Sequence, residues 1–139
     1  MKNILVIGAG RSATTLISYL LDNASDNDWF ISIADYSLRL AEDAVANNKR
    51  GSAIFFDVND TKQREDEILK SDIVVSMLPA SMHIMVAKDC IRLKKNLVTA
   101  SYVSDEVSSL DEDAKKAGVL LLNEIGLDPG IDHMSAMQI

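Results

Sequence analysis

Apolar positions fall into six short, nearly continuous runs: Ile4–Ile7, Trp29–Ala34, Ala53–Phe56, Ile73–Met77, Leu97–Ala100 and Val119–Leu122. Continuous rather than alternating apolar residues mark strands covered on both faces. Between the runs, apolar residues recur at helical spacing over about Ser12–Leu21, Ser37–Asn47, Thr61–Leu69, Ser81–Leu93 and Asp105–Ala117. Strands and helices in strict alternation predict right-handed crossovers between parallel strands. The expected architecture is therefore α/β, a doubly wound six-stranded parallel sheet in three αβα layers. In this pattern Trp29, Phe30, Ile31, Ile54, Phe55 and Phe56 read as core. Met82, Met85 and Cys90 read as helix packing. The run Lys62–Glu67 and the cluster Asp111, Glu112 and Asp113 read as solvated helix faces. His83, beside a helix start, is either structural or a ligand contact.

The chain has 139 residues, 47% of them hydrophobic and 25% charged, which fits one globular domain and excludes a disordered one. Its net charge is −7 with a pI of about 4.7, so nucleic acid and anionic membrane surfaces would repel it. The single cysteine forms no internal disulfide, and no Cys/His spacing suggests a metal site. The apolar run before Gly8 is too short for a signal-peptide core, and no run approaches the roughly 18 residues of a membrane span. A cytoplasmic location is the expectation.

The first run ends in Gly8-Ala9-Gly10-Arg11-Ser12-Ala13, a G-x-G-x-x-A turn set between a strand and a helix. Gly8 allows the tight turn, Gly10 lets a pyrophosphate approach the backbone, and Ala13 lets the helix pack closely on the sheet. The helix start then offers N–H groups and a positive dipole end to phosphate. Asp35 closes the second run, roughly 20 residues beyond the turn, where a carboxylate accepts hydrogen bonds from an adenosine ribose and repels an added 2′-phosphate. These features predict a Rossmann NAD(P)-binding fold.

Ligands of open α/β sheets lie at the carboxyl ends of the strands. Asp57 and Val58 follow the third run on the adenine side, although Asp57 also suits a turn cap. Leu78 and Pro79 follow the fourth, and proline suits a strand end on its own account. Ala100, Ser101 and Tyr102 follow the fifth, bringing two hydroxyls toward the nicotinamide end. After the sixth comes Asn123–Met134, in which Asp128-Pro129-Gly130 is turn chemistry. Apolar periodicity resumes at Ile131, Met134 and Met137 without a helix stop. The expectation is a dinucleotide-binding domain over residues 1–139, whose final residues, from about 129, begin the helix leading to a second, catalytic domain.

The chain resembles the saccharopine dehydrogenase (saccharopine reductase) family over essentially its whole length. The most specific piece is "NEIGLDPGIDHM" at Asn123–Met134, which is similar to the family's junction between its dinucleotide and catalytic domains. The glycine turn, "FDVND" at Phe56–Asp60, "MLP" at Met77–Pro79 and "ASYVS" at Ala100–Ser104 follow in the family's order. The resemblance implies an oxidoreductase that passes hydride between C4 of a nicotinamide and the carbon of a C–N bond. Saccharopine is thereby interconverted with aminoadipate semialdehyde and glutamate through an imine. By position it implies cofactor contacts at Ala9, Gly10, Arg11, Ser12, Asp35, Tyr36, Ser37, Asp57, Val58, Leu78, Ala100, Ser101, Leu127, Asp128 and Pro129. Ser101, Tyr102 and Asp128 would reach the substrate. No catalytic acid or base is identified. Asp35-Tyr36 departs from NADP-using members, which place a small and then a basic residue there, so NAD is the expected cofactor. NADP is the alternative, with Arg39 one helical turn away. A homodimer of the full-length protein would use the second domain for most of its contacts.

Two other readings share these features. Reductases of the same family that build carboxynorspermidine or homospermidine-type polyamines use the same imine chemistry. A nucleotide-sensing regulatory lobe of a potassium transport system would account for the turn and Asp35, but not for Asn123–Met134.

Overall fold

The computed structural model describes residues 1–125. Six parallel strands form one sheet: β1 (Lys2–Ile7), β2 (Trp29–Asp35), β3 (Gly51–Phe55), β4 (Ile73–Ser76), β5 (Asn96–Thr99) and β6 (Leu121–Leu122). Their spatial order is β3-β2-β1-β4-β5-β6. The chain starts in the middle, winds outward through β2 and β3, then crosses back to β4. The order therefore reverses beside β1, and the carboxyl ends of β1 and β4 diverge into the crevice where such sheets bind ligands. This is the doubly wound parallel sheet that the alternating pattern predicts.

Six helices cover the faces: α1 (Thr14–Asn27), α2 (Leu38–Val45), α3 (Thr61–Leu69), α4 (His83–Leu93), α5 (Asp105–Ser108) and α6 (Asp111–Ala117). One core cluster joins Ile4, Val6, Ile31 and Ile33 to Ile17 and Leu21 of α1 and Ala41 and Val45 of α2. The other joins Leu5, Ile7, Val74 and Leu97 to Ile68 of α3 and Val86, Ala87 and Cys90 of α4. Neighbouring residues of β1 thus enter opposite layers, which accounts for its unbroken apolar run. Burial pushes the Cys90 thiol up to about 12, so this cysteine packs as a small apolar group.

Several elements differ from expectation. A 3₁₀ turn, Arg11–Ala13, precedes α1, which therefore starts at Thr14 rather than Ser12. The helix also runs past Leu21, because buried Ala24 continues the stripe of Ile17 and Leu21. It ends where Asp28 turns left-handed at φ 56°. The helix expected over Asp105–Ala117 is two, since a break at Ser109 and Leu110 lets Val107, Leu110 and Ala114 all turn inward. Phe55 is not core. It ends an edge strand beyond the covering helices, 49% exposed, with its ring tilted against Tyr36 at 5.4 Å. Trp29 and Phe30, at the amino end of β2, are half-buried. Lys62–Glu67 is not uniformly solvated either: Arg64 is buried and forms an ion pair with buried Asp89 of α4.

Candidate functional site

The glycine turn closes with different demands on its two glycines. Gly8 sits at φ +107°, and a Cβ there would lie 2.9 Å from the Met77 carbonyl oxygen. Its N–H donates to Ala34 O at 2.7 Å, while Met77 N–H donates to Ile7 O at 2.7 Å. Both bonds carry the ladder one residue past the strand ends, and only a residue without a side chain fits between them. Gly10 has φ −73°, ordinary for any residue, and a Cβ there would meet nothing within 4 Å. The sequence therefore keeps open a space beside Gly10 that the protein does not fill. Arg11 and Ser12 lie exposed at the head of the 3₁₀ turn that leads into α1, and Ala13 is fully buried against the sheet.

Asp35 spans the turn and the start of α2. One carboxylate oxygen accepts the Ala9 N–H and the other the Ser37 N–H, both at 2.7 Å. Backbone donors on both oxygens fix the plane of the group. Each oxygen still has a free lone pair for a ribose hydroxyl. The Ser37 N–H, a ready donor for a phosphate at a helix start, is already taken. Ser37 itself caps α2, its hydroxyl accepting from Leu40 N–H at 3.3 Å. Arg39 is highly exposed on α2 and loosely paired with Asp43 at 3.9 Å. Tyr36 and Phe55 project together at the same end of the sheet.

Asp57 takes the turn role: it accepts the Asn59 N–H at 2.9 Å, while Gln63 Oε1 accepts its own N–H at 3.0 Å. Asp60 caps α3 through Gln63 N–H at 3.0 Å. Val58 is buried, and its carbonyl accepts from Arg64 at 2.6 Å. Its position is thus tied to the ion pair between α3 and α4.

On the other side of the turn, Ser12, Leu78, Ala80, Ala100, Ser101 and Tyr102 line a cleft of about 320 Å³. Pro79 is exposed at its rim, ahead of the short 3₁₀ turn that enters α4. Beneath the cleft lies His83. Its Nδ1 is 2.9 Å from Ser76 Oγ, and its Nε2 is 2.8 Å from Ser101 Oγ and 3.0 Å from Thr99 Oγ1. Burial lowers its pKa below the usual histidine value, so the ring is neutral at physiological pH. His83 is therefore a buried structural member of the site, in contact with Ser101 but not lining the cleft. Ser76 and Thr99 escaped the sequence reading. The available signal was a hydroxyl residue at the end of each of two otherwise apolar runs.

The start of the Asn123–Met134 stretch returns to this side: Glu124 N–H donates to Ser101 O at 3.1 Å and Ile125 N–H to Thr99 O at 3.3 Å. Leu127, Asp128 and Pro129 lie outside the described residues. The glycine turn, Asp35, Tyr36, Ser37, Leu78, Ala100, Ser101 and Tyr102 thus share the carboxyl edge of the sheet, with Asp57 and Val58 at its far end. Among the described residues, no group of three His, Cys, Asp or Glu is placed to hold a metal ion, and no helix is long and apolar enough to cross a membrane.

The chain is similar to known proteins over nearly its whole length. A family described as "Saccharopine dehydrogenase NADP binding domain" matches residues 4–122. The chain is 40% identical to an alpha-aminoadipic semialdehyde synthase of Arabidopsis thaliana, covering 99% of this chain and 15% of that protein. It is 37% identical to a saccharopine dehydrogenase [NADP(+), L-glutamate-forming] of Saccharomyces cerevisiae, covering 99% of this chain and 30% of that one. A solved apo structure of the L-Glu-forming enzyme from Saccharomyces cerevisiae superposes with a TM-score of 0.90 at 34% identity, over 99% of this chain and 30% of that chain. The chain thus spans less than a third of the length of these relatives. A 3-ketoreductase from Actinomadura kijaniata, at 18% identity and a TM-score of 0.66, shares the fold alone. These matches do not favour the potassium-transport or polyamine readings.

Proposed function

Because the chain belongs to the saccharopine dehydrogenase family, we propose that it supplies the dinucleotide-binding part of an oxidoreductase acting on the C–N bond of saccharopine. The observation that carries the reading is the turn itself. The space beside Gly10 is open to a pyrophosphate, and Asp35 is held by two backbone bonds where an adenosine ribose would end. A bound nicotinamide dinucleotide would supply the hydride acceptor or donor. The protein orients it and excludes water, which is the main task of a protein in hydride transfer.

Each residue has a definite part in this scheme. Gly10, Arg11 and Ser12 receive the phosphates, with α1 behind them contributing its positive end. Asp35 receives ribose hydroxyls, with Tyr36 and Ser37 beside it, and Asp57 and Val58 border the adenine side. Leu78, Pro79, Ala100 and Ser101 form the wall toward the nicotinamide, Ser101 and Tyr102 face the substrate, and Asp128, outside the described residues, is assigned to the substrate by the family resemblance alone. The described residues lining the cleft offer hydroxyls and backbone groups but no carboxylate or imidazole. Acid–base help with the amine proton is therefore assigned to groups beyond them.

We favour NAD over NADP. The family description and the yeast relative's name both specify NADP. Here, however, a fixed carboxylate occupies the ribose end and has taken the Ser37 N–H, so a 2′-phosphate would meet like charge without that donor. The test of the activity is saccharopine-dependent reduction of NAD by the protein comprising this chain and the second domain, followed at 340 nm. The 139-residue chain alone should show none. Absence of turnover in the longer protein with either NAD or NADP would refute the proposed activity.

A further inference from the structure

We propose that His83, Ser76 and Thr99 fix the Ser101 hydroxyl as a hydrogen-bond donor toward the cleft, so the ligand atom that meets it is an acceptor. This rests on the cofactor reading above and adds to it the polarity of one contact.

The argument is an inventory of protons. Three hydroxyls surround one imidazole: Ser76 at Nδ1, and Thr99 and Ser101 at Nε2. A neutral imidazole has one N–H and one nitrogen lone pair, so it accepts one hydroxyl proton well. Ser76 is 0% exposed and Thr99 1% exposed, and among the described residues neither hydroxyl has an acceptor other than His83. Thr99 Oγ1 is itself an acceptor, of the Ser101 N–H at 3.2 Å. A buried hydroxyl proton without a partner costs about 1–3 kcal/mol. Ser76 and Thr99 therefore compete for the one lone pair, and whichever takes it, none is left for Ser101. Ser76 also borders the cleft but is fully buried, so of the three only Ser101, half-buried there, has open space into which its proton can turn. When the ring N–H is on Nε2, Ser101 Oγ accepts it and the outward orientation is reinforced.

The cleft adjoins Ser12 of the phosphate turn on the β4–β5 side, the direction in which the nicotinamide half of a dinucleotide runs in this fold. The acceptor assigned to Ser101 is accordingly the carbonyl oxygen of the nicotinamide carboxamide. A substrate carboxylate has the same acceptor chemistry, and leaving substrate out of the titrations separates the two. His83 is a positioning residue, because it reaches the ligand only through Ser101.

The test is calorimetric titration of the chain with NADH, its 3-acetylpyridine analogue, which keeps the carbonyl and lacks the amide N–H, and ADP-ribose, which lacks the ring. Ser101→Ala should weaken NADH and the acetylpyridine analogue alike by about fivefold, the worth of one neutral hydrogen bond, and leave ADP-ribose unchanged. His83→Leu should reproduce this split, and His83→Gln, which restores an amide to the cluster, should recover most of it. A general structural role for His83 would weaken all three ligands together. Should His83→Leu fail to fold, the Ser101→Ala series decides alone. A Ser101→Ala loss seen with NADH and absent with the acetylpyridine analogue would make Ser101 an acceptor and overturn the inference. So would an equal loss for ADP-ribose, and both results would leave the cofactor reading standing. Failure of wild type to bind any of the three would overturn the cofactor reading and the inference together.

Discussion

Substituting the two turn glycines separately distinguishes a residue required by the fold from one required by a ligand. At Gly8, alanine would take φ +107° and put its Cβ 2.9 Å from the Met77 carbonyl oxygen and 3.0 Å from the carbonyl carbon. The obstacle is backbone, held by the Met77 N–H bond to Ile7 O, so it cannot swing aside as a side chain would. The backbone strain alone costs about 1–3 kcal/mol, and displacing β4 from β1 raises the total to roughly 2–4 kcal/mol. For a chain of this length the melting temperature should fall by roughly 10 °C. At Gly10 the same substitution meets nothing within 4 Å at an ordinary φ of −73°. Stability should be unchanged or raised by up to about 1 kcal/mol, because alanine restricts the unfolded chain.

Ligand response should run the other way. In wild type, NADH at about a hundred times its Kd adds roughly 2.7 kcal/mol of stability. In Gly10→Ala that gain should vanish, since the methyl occupies the pyrophosphate's approach. Thermal unfolding of both variants with and without NADH reads all four quantities. A Gly10→Ala protein as destabilised as Gly8→Ala, or one that keeps the full NADH shift, would refute the reasoning.

Other outcomes follow from the same contacts. Arg64→Ala would strand Asp89, which is buried and whose one other ion-pair partner among the described residues is exposed Arg92 at 3.2 Å, so urea unfolding should show a loss of about 3 kcal/mol. Replacing Arg64 and Asp89 together by apolar residues should cost less than Arg64→Ala alone. Because burial lowers the His83 pKa, the unfolded chain binds a proton more readily than the native one once pH falls below about 6.5. Stability should therefore be full above that value and decline as pH falls through it toward the lower folded pKa. In His83→Gln this part of the pH slope should disappear, as measured by chemical denaturation between pH 5 and 8. A slope unchanged in that variant would assign the acid sensitivity to other groups.

The sheet was legible in the sequence because its central strand carries an unbroken apolar run, Ile4–Ile7, buried on both faces, and shorter apolar runs repeat at each neighbouring strand, although the edge strands β3 and β6 are only partly buried. Gly8, Ala13 and Asp35 were legible because a tight strand–turn–helix imposes a spacing: Gly8 takes a positive φ, Ala13 is buried under the helix and Asp35 reaches back to the Ala9 N–H. Phe55 was misread because apolarity alone cannot distinguish a core ring from one at the exposed end of an edge strand. Arg64 was misread for the opposite reason. Surrounded in sequence by Lys62, Glu65, Asp66 and Glu67, it looked solvated, while its partner Asp89 is remote in the chain and meets it only once α3 packs on α4. The His83 cluster draws on β4, α4 and β5 together, so no local pattern announces it.

The central claim is that the carboxyl edge of this sheet binds a nicotinamide dinucleotide with Asp35 at the ribose. Calorimetric titration of the chain with NADH and NADPH, in wild type and Asp35→Ser, tests it most directly. The account predicts that wild type binds NADH more tightly than NADPH and that removing the carboxylate narrows or reverses the preference. Wild type binding NADPH more tightly, or a preference untouched by Asp35→Ser, would contradict it.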